Sequence, residues 1–267
     1  MDARGLSGRA GMRLAHGWKL AASGEVAESL VREFVRPAVR AAPAALARRL
    51  GRCLIRLLAE PESTIASRWT EKPDGFEIEV MAAGQEDHDV AMELLLCLGQ
   101  CLWERLSDHE LRSYWTLLSR ELEAGIEGEI DEQAYEAKRR LQRSKACARN
   151  LGRLLEYGRA SFSATAAEYV HSLWHDVTVR EGRNHLPAEA LRRRLELLRR
   201  WFPPNRGYRL FPAPARRPAS AVAEVHQPAQ PEHRQQEPAE GAKAVNEPLA
   251  VSLLGHHTQH GRNQQGQ

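Results

Sequence analysis

A chain of 267 residues, 42% of them hydrophobic, is long enough to bury a real core, and one folded domain is the economical reading. Its 38 Lys and Arg are almost matched by 35 Asp and Glu, and the net charge of +3 argues against a dedicated polyanion binder. No run of about twenty apolar residues is present to span a bilayer, and nothing near the N-terminus reads as a secretory signal.

Cys53, Cys97, Cys101 and Cys147 form no CxxC pair of the kind that structural zinc or redox sites use, which fits a reduced, cytoplasmic setting. Residues 1–23 are rich in Gly and Arg and are expected to be poorly ordered. In residues 24–43, Val26, Leu30, Val31, Phe34 and Val35 recur at helical spacing until Pro37, so this stretch reads as a docking helix and linker. The folded core is expected over residues 44–211. It opens with a short helix, Ala44 to Leu50, that Gly51 ends.

The hydrophobic period then changes. Cys53 to Leu58 is compact and apolar, Thr64 to Thr70 alternates, and Phe76-Glu77-Ile78-Glu79-Val80 alternates cleanly, with Pro73-Asp74-Gly75 as the turn before it. These segments predict a small antiparallel sheet whose buried face holds Phe76, Ile78 and Val80. From His88 the pattern is helical to Arg200. The first helix, capped by Asp87, is apolar almost all round, with Val90, Leu94, Leu95, Leu98, Cys101 and Trp103, which marks a buried central helix. Ser107 or Asp108 starts the next helix, Asp131-Glu132 a third, Ser161 to Val179 forms an amphipathic fourth, and Pro187 opens a fifth. The aromatic segment Trp201 to Phe211 is expected to fold back over the core. The fold class is therefore α+β, mainly α-helical, with a small antiparallel sheet packed on a helical bundle.

Residues 212–267 contain no Phe, Trp or Tyr but many Pro, Gln and His, and such a tail cannot bury enough apolar surface to offset an ordering cost of roughly 1–2 kcal/mol per residue. Disorder is expected there, with Leu249 to Leu254 as a short apolar stretch of the kind that serves as a docking peptide.

Three constellations carry chemistry. Glu168, His171 and His175 fall on one helix face, and HxxxH spacing lets two imidazoles reach one metal ion; a solvated polar face is the plainer explanation. His88-Asp89 stands at the start of the buried helix, where a neutral histidine bonded to backbone is the plainer reading. Arg192, Arg193, Arg194, Arg199 and Arg200 make the last helix basic beside aromatic residues, as on a nucleic-acid surface with Arg192, Arg193, Arg199 and Arg200 as its contacts, although Glu189 and Glu196 dilute the charge. Cys97 and Cys101 read as core packing. Phosphate-loop, GxGxxG, GxSxG and HExxH motifs are absent from the sequence.

The order of a short sheet, a buried helix opening with His88-Asp89 and a later amphipathic helix bearing Glu168 resembles that of zincin metallopeptidases over roughly residues 44–179. By that resemblance His88 matches the first histidine of HExxH, Asp89 stands in place of the general-base glutamate and Met92 in place of the second zinc-binding histidine. Glu168 would be the third ligand. Thioether is a poor zinc ligand and aspartate is one methylene shorter, so the resemblance implies a domain whose peptidase activity is lost.

The sequence as a whole thus points to a non-enzymatic binding or scaffold module that recognises a protein partner and needs no cofactor. One alternative is a metal-dependent hydrolase with zinc at an atypical site of His88, Asp89, Glu168, His171 and His175. The other is nucleic-acid binding through residues 188–200.

Overall fold

A computed structural model describes residues 11–59, 66–143, 150–175, 182 and 184–211. The chain divides into Met1–Pro212 and Ala213–Gln267. The tail, its Leu249 to Leu254 stretch, Cys147 and residues 1–10 lie outside the described residues.

Five strands form one sheet: β1 (Met12–Arg13), β2 (Lys19–Ser23), β3 (Arg52–Leu58), β4 (Ser67–Lys72) and β5 (Gly75–Met81), in the order β1-β2-β3-β5-β4. The hairpin of β4 and β5 is antiparallel and turns at Pro73-Asp74, as the alternation predicts. β1 also pairs antiparallel with β2, but the sheet is mixed rather than wholly antiparallel as expected, because β3 runs parallel to both β2 and β5. β3 is flanked by strands on both edges, with Cys53, Ile55 and Leu57 buried on one face while Leu54 and Arg56 on the other stay partly exposed. Its parallel partner β2 went unread because Lys19-Leu20-Ala21-Ala22-Ser23 is short and alanine-rich, with little β propensity of its own.

Residues 11–23, expected to be poorly ordered, are held in this sheet. Leu14, Trp18 and Leu20 belong to the main core, and the Trp18 indole donates to the carbonyl of Gly51 at 3.0 Å. The core accordingly begins well before residue 44 and runs to Leu210. Helical residues 28–41 cross from β2 to β3, and Pro37 does not stop them. A π-helical stretch, Leu30–Val35, passes directly into α1 (Arg36–Ala41), and its wider turn shifts the backbone hydrogen bonds just before Pro37, so the missing N–H of Pro37 does not break the helical path. α2 (Ala44–Leu50) ends at Gly51, whose φ of +74° favours glycine.

α3 (Asp87–Trp103) buries ten residues, among them Val90, Leu94, Cys97, Leu98, Cys101 and Leu102, and packs against both β4 and β5. Its most extensive neighbour is α6 (Leu151–His171). A Cβ on Gly99 would lie 2.6 Å from the Ser163 carbonyl oxygen, so the two helices meet backbone to backbone. α4 (Asp108–Glu123) starts with a full capping box: the Ser107 hydroxyl accepts from the Glu110 N–H while the Glu110 carboxylate accepts from the Ser107 N–H. α5 (Glu132–Gln142) is capped by Asp131, which accepts from the Ala134 N–H at 2.7 Å.

α6 begins ten residues earlier than its hydrophobic pattern suggests, capped by Asn150, because Leu151 and Leu155 in its first turns are exposed and give no core-facing signal. It also ends earlier, at His171. α7 (Ala188–Trp201) follows Pro187. The segment after it returns over the core: Phe202 and Leu210 are buried, and Asn205 accepts from the Ala44 N–H and donates to the Ala42 carbonyl, which caps the start of α2. Among the described residues no helix is long and apolar enough to cross a membrane.

Candidate functional site

The N-terminus of α3 meets the C-terminus of α6. His88, in the first turn of α3, places its Nε2 3.4 Å from the Nε2 of His171, the last residue of α6, although 83 positions separate them. His88 is therefore not a buried histidine bonded to backbone: its side chain is 41% exposed and its partner is another imidazole. His171 is buried. Among the described residues its Nδ1 has no hydrogen-bond partner, and it lies 3.7 Å from the Glu168 carboxylate one turn earlier. Trp174 Nε1 beside it is likewise buried without a hydrogen-bond partner.

His175 sits in the turn after α6, its N–H bonded to the His171 carbonyl at 3.0 Å, rather than one turn further along a helix. Its ring stacks on His171 with centroids 5.1 Å apart and lies 5.9 Å from that of His88. The structure thus brings His88, His171, His175 and Glu168 together. Asp89 faces His88 Nδ1 at 3.6 Å and is 65% exposed. Met92, one turn along α3 from His88, is partly buried and packs against the core.

Two nitrogen donors bound tetrahedrally at about 2.0–2.1 Å from a zinc ion are about 3.3–3.4 Å apart. The His88 and His171 nitrogens already have that separation. Among the described residues, however, no three His, Cys, Asp or Glu side chains have donors gathered closely enough to hold a metal ion, so His175 or Glu168 must move to complete a set.

The remaining candidates separate. Cys97 and Cys101 are buried thiols on the sheet-facing side of α3, near Ser67 and Cys53; burial raises the Cys97 pKa to about 11 and that of Cys101 well above its usual range, so neither is a ready nucleophile. Arg192 pairs with Glu196 at 3.2 Å and stacks over Phe211, Arg193 pairs with Glu189, and Arg199 and Arg200 are exposed at the end of α7. Arg194 is completely buried, which breaks the arginine run as a single basic face. Its guanidinium donates to Glu121 on α4 and to Glu129 in the loop before α5, and Lys138 and Tyr157 also donate to Glu129. Reading along the sequence missed this network because Arg194 lies in a run of arginines that resembles a solvated face; only its place on the Ala190–Leu197–Leu198 side of the helix hinted at burial.

A cleft of about 680 Å³ lies between α4 and α7, lined by His109, Arg120, Arg193, Leu197, Arg200 and Trp201 among others. No known protein family, curated protein or solved structure matches this chain.

Proposed function

We propose that this protein is a non-enzymatic, intracellular binding module that carries a transition-metal site at the junction of α3 and α6. His88 and His171 are the first two ligands through their Nε2 atoms, His175 is the third after a side-chain rotation, and Glu168 orients His171 through Nδ1. The observation that carries the reading is the 3.4 Å approach of the two Nε2 atoms, with the other nitrogen of the buried His171 left without a hydrogen bond beside a carboxylate. Metal-ligating imidazoles characteristically use the second nitrogen to bond a carboxylate, and Glu168 stands where that partner belongs. A hydrogen bond from one imidazole to the other explains the contact in the metal-free protein.

Hydrolysis of the zincin kind is not supported by the same residues. Met92, at the position of the second ligand in that family, packs against the core, and the exposed Asp89 faces His88. The site reads as one that holds a metal and fixes the α3–α6 junction.

Titration of the untagged, metal-stripped full chain with Zn²⁺ in a calorimeter tests this, with Co²⁺ absorption reporting coordination geometry. One equivalent is expected to bind with tetrahedral cobalt bands, and the His171→Ala and His88→Ala variants are expected to lose that event while retaining weak binding by His256, His257 and His260, which are common to all samples. Stoichiometric binding that survives both substitutions, or no binding above that of the variants, sinks the proposal.

A further inference from the structure

The cleft between α4 and α7 has a charge pattern that its neighbours on the protein do not satisfy. Its floor is apolar, made by Leu117, Leu197 and Trp201, and its rim carries Arg120, Arg193, Arg200 and His109. Arg193 is paired with Glu189 along its own helix, but among the described residues no carboxylate lies within ion-pair distance of Arg120 or Arg200. The single acidic residue in the lining, Glu121, is turned inward and is 2% exposed, with both its oxygens occupied by Arg194. The cleft therefore shows solvent two unneutralised guanidinium groups over an apolar floor. The Ser113 and Thr116 hydroxyls donate back to the His109 and Arg112 carbonyls of α4, so they leave the polar recognition to the arginines.

We infer that this cleft docks an acidic, amphipathic segment of a partner protein, with carboxylates paired to Arg120 and Arg200 and an apolar side chain on the floor of Leu117, Leu197 and Trp201. Guanidinium is the side chain best suited to this, because it accepts a carboxylate through two parallel N–H bonds and is weakly hydrated enough to work beside apolar surface. The same features disfavour a nucleic acid. Polyanion affinity grows with the number of phosphates neutralised, and this site offers two unpaired cations rather than a continuous track. Arg192, the next arginine along, is already engaged with Glu196 and Phe211. The inference is independent of the metal reading, since no residue is shared.

Fluorescence anisotropy with the full chain distinguishes these occupants. The probes are a labelled peptide alternating Glu and Leu, its Lys-for-Glu counterpart, and a labelled thymidine oligonucleotide. The acidic peptide is expected to bind at low salt and weaken as salt rises, with the basic peptide silent and the oligonucleotide weaker by about tenfold or more. Reversing two charges, Arg120→Glu with Arg200→Glu, is expected to cost at least about tenfold in affinity. The same reversal at Arg192 and Arg199, outside the cleft lining, is expected to leave affinity within about twofold. Circular dichroism confirms that each variant is folded. Equal binding by the cleft variant and the native chain, no binding of the acidic peptide at low salt, or tighter binding of the oligonucleotide would each overturn the inference.

Discussion

Arg194 and Glu129, 65 positions apart, meet through two hydrogen bonds, Nη1 to Oε2 at 2.7 Å and Nη2 to Oε1 at 3.0 Å, with neither side chain reaching solvent. The same guanidinium donates to Glu121 through Nε and Nη2, and its Nη1 also reaches the Ser161 hydroxyl. Lys138 and the Tyr157 hydroxyl fill the remaining acceptor capacity of Glu129 Oε1. Two cations and two carboxylates therefore form a neutral, hydrogen-bonded cluster where α4, the loop before α5, α5 itself, α6 and α7 come together.

Such a cluster specifies how these five segments pack, because burying any one charged member without the others leaves an uncompensated charge. Arg194→Met is expected to lower stability by about 3–5 kcal/mol, since Glu121 and Glu129 would remain buried with only Lys138 opposite them. Combining it with Glu121→Gln, which leaves the buried Lys138 and Glu129 as a neutral pair, is expected to recover part of that loss. Urea unfolding followed by circular dichroism measures both, and a single variant within about 1 kcal/mol of the native chain would show that the cluster is hydrated or rearranges.

The same cluster sets an acid limit. Burial pushes the Glu129 carboxyl upward, but the Arg194 guanidinium, helped by Lys138 and the Tyr157 hydroxyl, outweighs it and holds the pKa at about 2, below the ordinary 4.5. A carboxylate depressed in the folded state contributes stability that is fully present above its unfolded pKa and is lost as pH falls through the folded one. The urea midpoint is therefore expected to fall steadily between pH 4.5 and about 2 on this account. In Glu129→Gln that slope is expected to flatten even though the variant is weaker at neutral pH. A native-like slope in the variant would assign the acid sensitivity to other carboxylates.

The helix starts with local chemistry behind them were legible in the sequence. Ser107 and Asp131 cap where their residue types and the following acid predict, and the turn at Pro73-Asp74-Gly75 closes the one hairpin that alternation could identify. What was hidden depends on distance. The parallel pairing of β2 with β3 joins segments more than thirty residues apart through an alanine-rich strand with no periodic signal. The approach of His88 to His171 is a consequence of the α3–α6 crossing, which no local pattern encodes, whereas HxxxH spacing placed His175 on a helix that in fact stops at His171. Arg194 was the hardest case, because a buried arginine and a solvated one have the same neighbours in sequence.

Ser107 tests the capping argument directly. Its hydroxyl and N–H both bond the Glu110 carboxylate, which also receives Arg49 at 2.9 Å, so the cap ties α4 to α2. Ser107→Ala is expected to cost about 1 kcal/mol and Ser107→Asp less at high salt, where its repulsion of Glu110 is screened. Equal losses in the two variants at high salt would mean that the hydroxyl acts only through Glu110 and not through the Glu110 N–H.

Gly99 and Gly152 together separate helix propensity from helix packing. Both lie inside helices, so replacing either by alanine removes backbone freedom from the unfolded chain and should stabilise by roughly 0.5–1 kcal/mol if nothing stands in the way. At Gly152 the added methyl would meet, among the described residues, only the Asn150 side chain, at an ordinary 3.7 Å. At Gly99 the methyl would meet the Ser163 carbonyl oxygen at 2.6 Å and its Cα at 2.8 Å, which are backbone atoms of α6 that cannot swing aside. Gly152→Ala is therefore expected to raise the thermal midpoint, and Gly99→Ala to lower stability by about 1–3 kcal/mol through overpacking of the α3–α6 contact. Because that contact positions His88 against His171, Gly99→Ala is also expected to weaken zinc binding while Gly152→Ala leaves it unchanged. Stabilisation by both substitutions would mean that the two helices lie further apart than the Gly99–Ser163 contact requires.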